Sequence, residues 1–235
     1  MTDLTTDAGL LRDEFPILAH GHYANHAAMA PWPLRAARAV QEFAQENADI
    51  ATDRYPLWLQ REAQLRDLLA TMLNAPSVGD IALLKNTTEG ICAVAGGLEW
   101  RPGDNVVIPK DEFPSNRLPW LALERRGVEV REVDIRATAE PEKALLNRVD
   151  DNTRLLSVSA VQWTDGLRLD LEQLGRACKA GGVLFFVDAI QQLGALQVDV
   201  QACAIDFLAA DGHKWLLSPE GLAVFFCAER VRGLL

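Results

Sequence analysis

The chain has 235 residues, a formal net charge of −10 and 49% hydrophobic residues. That length and hydrophobic share suit one large soluble α/β domain with a substantial core. The charge argues against a nucleic-acid or anionic-membrane surface, and no apolar stretch reaches the length of a membrane span.

Residues 1–33 read as an arm of little periodicity, ending in the turn Pro31-Trp32-Pro33. Its acidic start, Met1-Thr2-Asp3-Leu4-Thr5-Thr6-Asp7, lacks the basic region of a secretory leader. Residues 34–49 read as a polar helix. Residues 57–73 read as an amphipathic one, with Leu65, Leu68, Leu69 and Met72 on a single face. The period then changes. Short apolar or alternating runs fall at 81–84, 105–108, 128–133, 155–161, 183–187, 207–210 and 222–226. Helical stretches separate several of them, around 88–98, 115–126, 140–149 and 170–180, the last opened by the capping-box pattern Asp170-Leu171-Glu172-Gln173. Such alternation predicts an α/β fold with three layers: a mostly parallel sheet with helices on both faces. Cys92, Cys178, Cys203 and Cys227 are scattered, with no Cys-x-x-Cys pair. They read as small buried hydrophobes in a reducing cytoplasm, and no metal site is expected.

Two charged residues end two of the buried runs. Asp188 follows 183–187, and Lys214 follows 205–210 within Gly212-His213-Lys214-Trp215. Each stands at the carboxyl end of a strand, the edge where open α/β sheets bind ligands. A lysine amine and a carboxylate are what pyridoxal 5'-phosphate (PLP) needs: one forms a Schiff base, the other keeps the ring nitrogen protonated. A catalytic Lys214 requires a site that lowers its pKa. The plain alternatives are a solvated loop lysine and a turn-capping aspartate.

Further candidates lie in the same series of strand-to-helix loops. Asn86-Thr87-Thr88-Glu89-Gly90 follows the first sheet strand and opens a helix, offering backbone N–H groups, Thr hydroxyls and a positive helix end to a phosphate. Asn-x-x-Glu is also a capping pattern, and taken singly the cap reading comes first. Gln191 and Gln192 begin the turn after Asp188, where either amide can reach back to a ligand or lie in solvent. Phe113 and Trp163 follow strands 105–108 and 155–161 and can stack on a planar ring or pack in the core. His213 can be a phosphate donor or a satisfied polar residue, and Trp215 reads as packing. The coincidence of these groups on one edge carries more than any of them alone.

Four ordered segments, Asn86–Gly90, Glu112-Phe113-Pro114-Ser115-Asn116, Val187-Asp188-Ala189-Ile190-Gln191 and Gly212–Trp215, resemble the class V aminotransferase family of fold-type I PLP enzymes. That family includes cysteine desulfurases, kynureninases and isopenicillin N epimerase-like proteins. The resemblance covers about residues 14–235, and Tyr23-Ala24-Asn25-His26-Ala27-Ala28 is similar to the family's N-terminal motif near the substrate. It implies that Lys214 forms the Schiff base and shuttles the α-proton, that Asp188 pairs with the ring nitrogen, and that Gln191 touches the 3-oxygen. Thr87, Thr88 and His213 would hold the phosphate, and Phe113 would stack on the ring. Desulfurases usually carry a histidine where Phe113 stands. Asp211 occupies a position where some relatives place a phosphate-binding serine, and its charge would repel phosphate, so it receives no such role.

The resemblance further implies an amino-acid substrate, a homodimer and lyase, desulfurase or epimerase-like chemistry in preference to simple transamination. It divides the chain into an arm at 1–33 and a PLP-binding large domain at 34–235. The small C-terminal domain of the family, usually the source of an arginine for the substrate carboxylate, is expected to be absent. A non-catalytic PLP-binding or partner-dependent remnant is therefore the alternative function. A nicotinamide-dependent dehydrogenase is disfavoured, because no Gly-x-Gly-x-x-Gly turn is present.

Overall fold

A computed structural model describes residues 8–235. The acidic segment at 1–7, on which the reading of the leader rests, lies outside the described residues. The arm carries more local structure than its pattern suggests: helix α1 (Ala8–Glu14) and a 3-10 turn at Pro16–Ala19. Two long helices follow, α2 (Leu34–Ile50) and α3 (Tyr55–Leu73). The sheet elements then alternate with helices: β1 (Ile81–Leu84), α4 (Thr87–Gly97), β2 (Asn105–Pro109), α5 (Leu118–Leu121), β3 (Glu129–Val133), α6 (Pro141–Leu146) and β4 (Thr153–Ser159). The chain continues through α7 (Leu171–Gly181), β5 (Leu184–Asp188), β6 (Phe207–Asp211), β7 (Ala223–Cys227) and α8 (Glu229–Arg232).

Seven strands form one sheet in the order β1-β7-β6-β5-β4-β2-β3. Only β7 runs against the rest: it pairs antiparallel with both β1 and β6, while the other pairings are parallel. The carboxyl ends of β1, β2, β4, β5 and β6 therefore share one edge. Strands β2, β5, β6 and β7 are buried along their whole length, the pattern of a sheet covered on both faces. A row of rings crosses the sheet. Phe186 stacks on Phe207 and Phe207 on Phe225, each with centroids 6.4 Å apart, and Trp120 meets Phe186 edge-on at 5.9 Å.

Three local expectations need correction. The stretch 115–126 is not one helix. It divides into a 3-10 turn at Pro114–Asn116, the short α5 with Pro119 near its start, and a second 3-10 turn at Ala122–Arg126; Pro119, without an N–H, interrupts the helical ladder. Helix α3 buries Leu69, Ala70 and Leu73, whereas Leu68 and Met72 are 67% and 47% exposed, so only half of the expected apolar face meets the sheet. The capping box at 170–173 is half formed. Asp170 caps the Gln173 N–H at 2.9 Å, but its own N–H goes to Glu142 Oε1 at 2.7 Å. Cys178, Cys203 and Cys227 are buried as expected, and Cys92 is exposed. No described helix is long and apolar enough to cross a membrane.

Candidate active site

The shared carboxyl edge opens into a cavity of about 510 Å³. Thr87, Thr88, Phe113, Asp188, Gln191, His213 and Lys214, all expected from the sequence, line it together with Trp163 and Asp211. They arrive from five strand ends, those of β1, β2, β4, β5 and β6, as in other open α/β sheets.

The start of α4 forms one wall. Asn86 is a true N-cap, its Oδ1 accepting the Glu89 N–H at 2.8 Å, and Glu89 Oε2 accepts the Lys85 N–H at 2.7 Å. Cap and ligand site are thus not exclusive: the cap fixes the helix end whose first turn faces the cavity. Gly90 lets α4 lie close to the sheet, since a Cβ there would stand 2.9 Å from Ala209 Cβ. Thr87 Oγ1 accepts the Asp211 N–H at 2.9 Å, and the Thr88 hydroxyl donates to Ser115 Oγ at 2.8 Å.

Asp188 ends β5 with its carboxyl out of solvent. Burial, above all, pushes its pKa up to about 7, and the negative neighbours Glu112 and Asp211 add to the rise. The Ile190 N–H, donated to Asp188 Oδ1 at 3.0 Å, and the Lys214 charge oppose it. Lys214 is itself buried, and this desolvation lowers its pKa against the pull of Asp188 and Asp211. Its Nζ sits 5.6 Å from the Phe113 ring centroid.

Phe113 and Trp163 are surface aromatics and not core residues, 41% and 46% exposed. They meet edge-to-face at 5.5 Å over the cavity mouth. Trp163 Nε1 donates to Asp111 O at 3.0 Å. Arg136 pairs with Asp111 at 3.3 Å and with Asp165 at 3.0 Å, joining the two loops that bear the rings.

His213 Nδ1 lies 3.0 Å from Asp211 Oδ1, close enough for an ion pair but off hydrogen-bond geometry, so both buried atoms lack a hydrogen-bond partner. Gln191 is more committed than expected. Its Nε2 donates to Ala27 O at 2.9 Å and its Oε1 accepts the Trp215 indole N–H at 3.1 Å. Trp215 also stacks on His26 at 5.2 Å, and the Ala30 N–H donates to His213 O at 2.9 Å. The arm is thereby tied to both neighbours of Lys214 and supplies Asn25, Ala27 and Ala28 to the cavity.

Glu112 escaped the sequence reading. It is 4% exposed, and its two oxygens accept from the Ser159 N–H, the Ser159 hydroxyl and the Gln162 amide. Burial raises its pKa and those hydrogen bonds counter the rise. A sequence signal did exist: Ser157 and Ser159 place hydroxyls on one face of the otherwise apolar second half of β4.

The residues present suit PLP. A buried carboxyl that can hold a proton partner, a buried amine and an exposed ring occupy one cavity. The α4 start, with Thr87 and Thr88, and the His213 ring line the same cavity. Asp211 opposes a phosphate there, and His213 Nδ1 stands between the two roles, 3.0 Å from Asp211 Oδ1. Among the described residues, no group of three or more His, Cys, Asp or Glu could hold a metal ion.

Comparison with known proteins places the chain in a family. The family profile described as Aminotransferase class-V matches residues 22–235, and the chain belongs to that family. It is 39% identical to a probable cysteine desulfurase of Methanothermobacter thermautotrophicus, over 96% of this chain and 57% of the relative. A solved structure of a C-DES mutant with glycine covalently linked to its PLP cofactor superposes with a TM-score of 0.86 at 28% identity, covering 95% of this chain and 61% of that one. The cystine C–S lyase C-DES in complex with its product cysteine persulfide gives a TM-score of 0.85 at 28% identity over 94% of this chain and 61% of its own. The chain thus spans about 57% of the length of the Methanothermobacter relative.

Proposed function

We propose that this chain binds PLP through Lys214 and is the cofactor-binding part of an enzyme acting at the α-carbon of an amino acid. The observation that carries the reading is the pairing, in one cavity, of a desolvated amine at Lys214 with a fully buried carboxyl at Asp188. Bound PLP supplies an electron sink that weakens the bonds at an amino acid's α-carbon. The chain's own residues supply the rest. Lys214 Nζ is the covalent anchor and the base for the α-proton, a role that desolvation of the amine favours by lowering its pKa. Asp188 keeps a proton on the ring nitrogen. Phe113 covers one ring face, Gln191 reaches the ring's oxygen substituent, and Thr87, Thr88 and His213 hold the phosphate.

C–S lyase or desulfurase chemistry is the branch supported by the relatives, several of which act on cysteine or cystine. No cysteine of this chain lines the cavity, so a thiol acceptor for sulfur would come from elsewhere. A homodimer is proposed with it. Exposed Val40, Phe43, Tyr55 and Leu59 on α2 and α3 offer apolar surface for it. Four free thiols fit a reducing cytoplasm. The non-catalytic remnant is the less favoured alternative, since the relatives are named as PLP-dependent or cysteine-cleaving enzymes.

The test is the visible absorption of the purified chain with PLP, before and after borohydride, for wild type and Lys214→Ala. A visible band that borohydride abolishes and the variant lacks establishes the lysine anchor. A folded wild-type chain with no such band refutes PLP binding through Lys214.

A further inference from the structure

The loop bearing Phe113 is stitched to the end of β4 by side chains. Strand β2 pairs with β4 only as far as Val107 and Leu156, so the last residues of β4 have lost their strand neighbour on that side. Glu112 takes the neighbour's place. Its Oε1 accepts the Ser159 N–H at 2.6 Å and the Gln162 amide at 3.2 Å, and its Oε2 accepts the Ser159 hydroxyl. Two residues back on the same face, the Ser157 hydroxyl donates to Asn116 Oδ1 at 2.6 Å, and the Trp120 indole donates to the same oxygen at 3.1 Å.

This is a costly way to seat a loop. Glu112 is buried, its bonds go to neutral donors, and the charge beside it, Asp188, has the same sign. A well-packed apolar side chain would seat the loop with no such penalty. What two carboxylate oxygens add is direction. Three donors around one strand end fix the loop along the strand as well as across it. The next residue is Phe113, whose ring stands over Lys214 Nζ and against Trp163.

We propose that Glu112 is a positioning residue for the cofactor face: its anchorage on Ser159 sets where the Phe113 ring stands above Lys214. The inference rests on the PLP reading, and it gives Glu112 no contact with substrate.

A double-mutant cycle on the full chain tests it, read as the PLP dissociation constant and the visible circular dichroism of the bound cofactor. Glu112→Ala and Phe113→Ala should each weaken binding about tenfold and reduce the dichroism. The double variant should be no weaker than Phe113→Ala alone, because Glu112 acts through that ring. Glu112→Gln, which keeps an acceptor for the Ser159 N–H, should recover most of the loss. Additive losses in the double variant, or full affinity in Glu112→Ala, overturn the proposal. If Glu112→Ala does not fold, Ser159→Ala removes one donor only, and the same non-additivity with Phe113→Ala is required. If wild type takes up no PLP, the earlier reading fails, and this one is decided on the cofactor-free chain. Ring-to-ring nuclear Overhauser contacts between Phe113 and Trp163 should then be present in wild type and lost in Glu112→Ala. Their persistence in the variant refutes the positioning role.

Discussion

Thr87 Oγ1 accepts the backbone N–H of Asp211 at 2.9 Å, across 124 residues of chain. The bond joins the first residue of α4 to the last residue of β6, three positions before Lys214. The wall assigned to phosphate and the loop carrying the amine are therefore one unit. Thr87→Ser keeps the oxygen and should melt near wild type. Thr87→Val keeps the shape but leaves the buried Asp211 N–H unpaired, and should cost about 1–3 kcal/mol with weaker PLP uptake. Thermal melts of the three proteins, with and without PLP, check this.

Asp188 links the site to stability. Its folded pKa, about 7, lies above the ordinary 3.8, so the folded chain binds more protons than the unfolded chain between those values. Stability from this group is full below the lower value, falls as pH rises between the two, and is flat above about 7. Asp188→Asn removes that loss. The cofactor-free variant should be more stable than wild type at pH 8, by roughly 1–4 kcal/mol, and little changed near pH 4. It should also bind PLP without supporting turnover, because an amide does not hold the ring-nitrogen proton. Denaturant melts at the two pH values separate the site's cost in stability from its chemical use.

The seven strands were legible because most are short buried apolar runs bounded by turns, and their observed limits differ from the sequence reading by two residues at most. Lys214, Asp188, Phe113 and the two threonines were legible for a related reason: strand ends put them on one edge. What stayed hidden depends on distant pairing. Gln191 meets Ala27 across 164 residues; the motif at 23–28 put the arm near the substrate only by resemblance and did not show which side chain it meets. Glu112 reads as an ordinary loop acid because its only signal, the hydroxyls of Ser157 and Ser159, lies on a distant strand, and the parting of β2 from β4 joins the two. Helix 115–126 failed locally, where Pro119 outweighed its apolar spacing.

The arm is held to the lysine loop by few bonds, and this makes it separable. Gln191→Ala deletes both the Ala27 and the Trp215 contacts, leaving the Ala30–His213 bond and the His26–Trp215 stack. The sheet should be unaffected, with a melting temperature close to wild type. Cleavage within residues 20–30 by a low dose of protease should become several-fold faster, since local opening governs such cuts. Unchanged cleavage would show that the amide does not restrain the arm.

Two glycines of α4 should respond in opposite directions to the same substitution. Gly96 faces open space, so Gly96→Ala gains helix propensity without a clash and should stabilise the chain by up to about 1 kcal/mol. Gly90 faces the sheet, where a new Cβ would lie 2.9 Å from Ala209 Cβ and 3.1 Å from Phe225 Cδ2. Both neighbours are buried in the central sheet and have little room to retreat, so the helix must move instead. Overpacking of this kind costs about 1–3 kcal/mol, more than the propensity gain. The movement also carries the Thr87–Thr88 wall away from β6, straining the Thr87–Asp211 bond. Gly90→Ala should therefore lower both the melting temperature and PLP affinity, while Gly96→Ala raises the first and leaves the second unchanged. A loss of stability in Gly90→Ala with undiminished PLP affinity would detach the α4 start from the phosphate site.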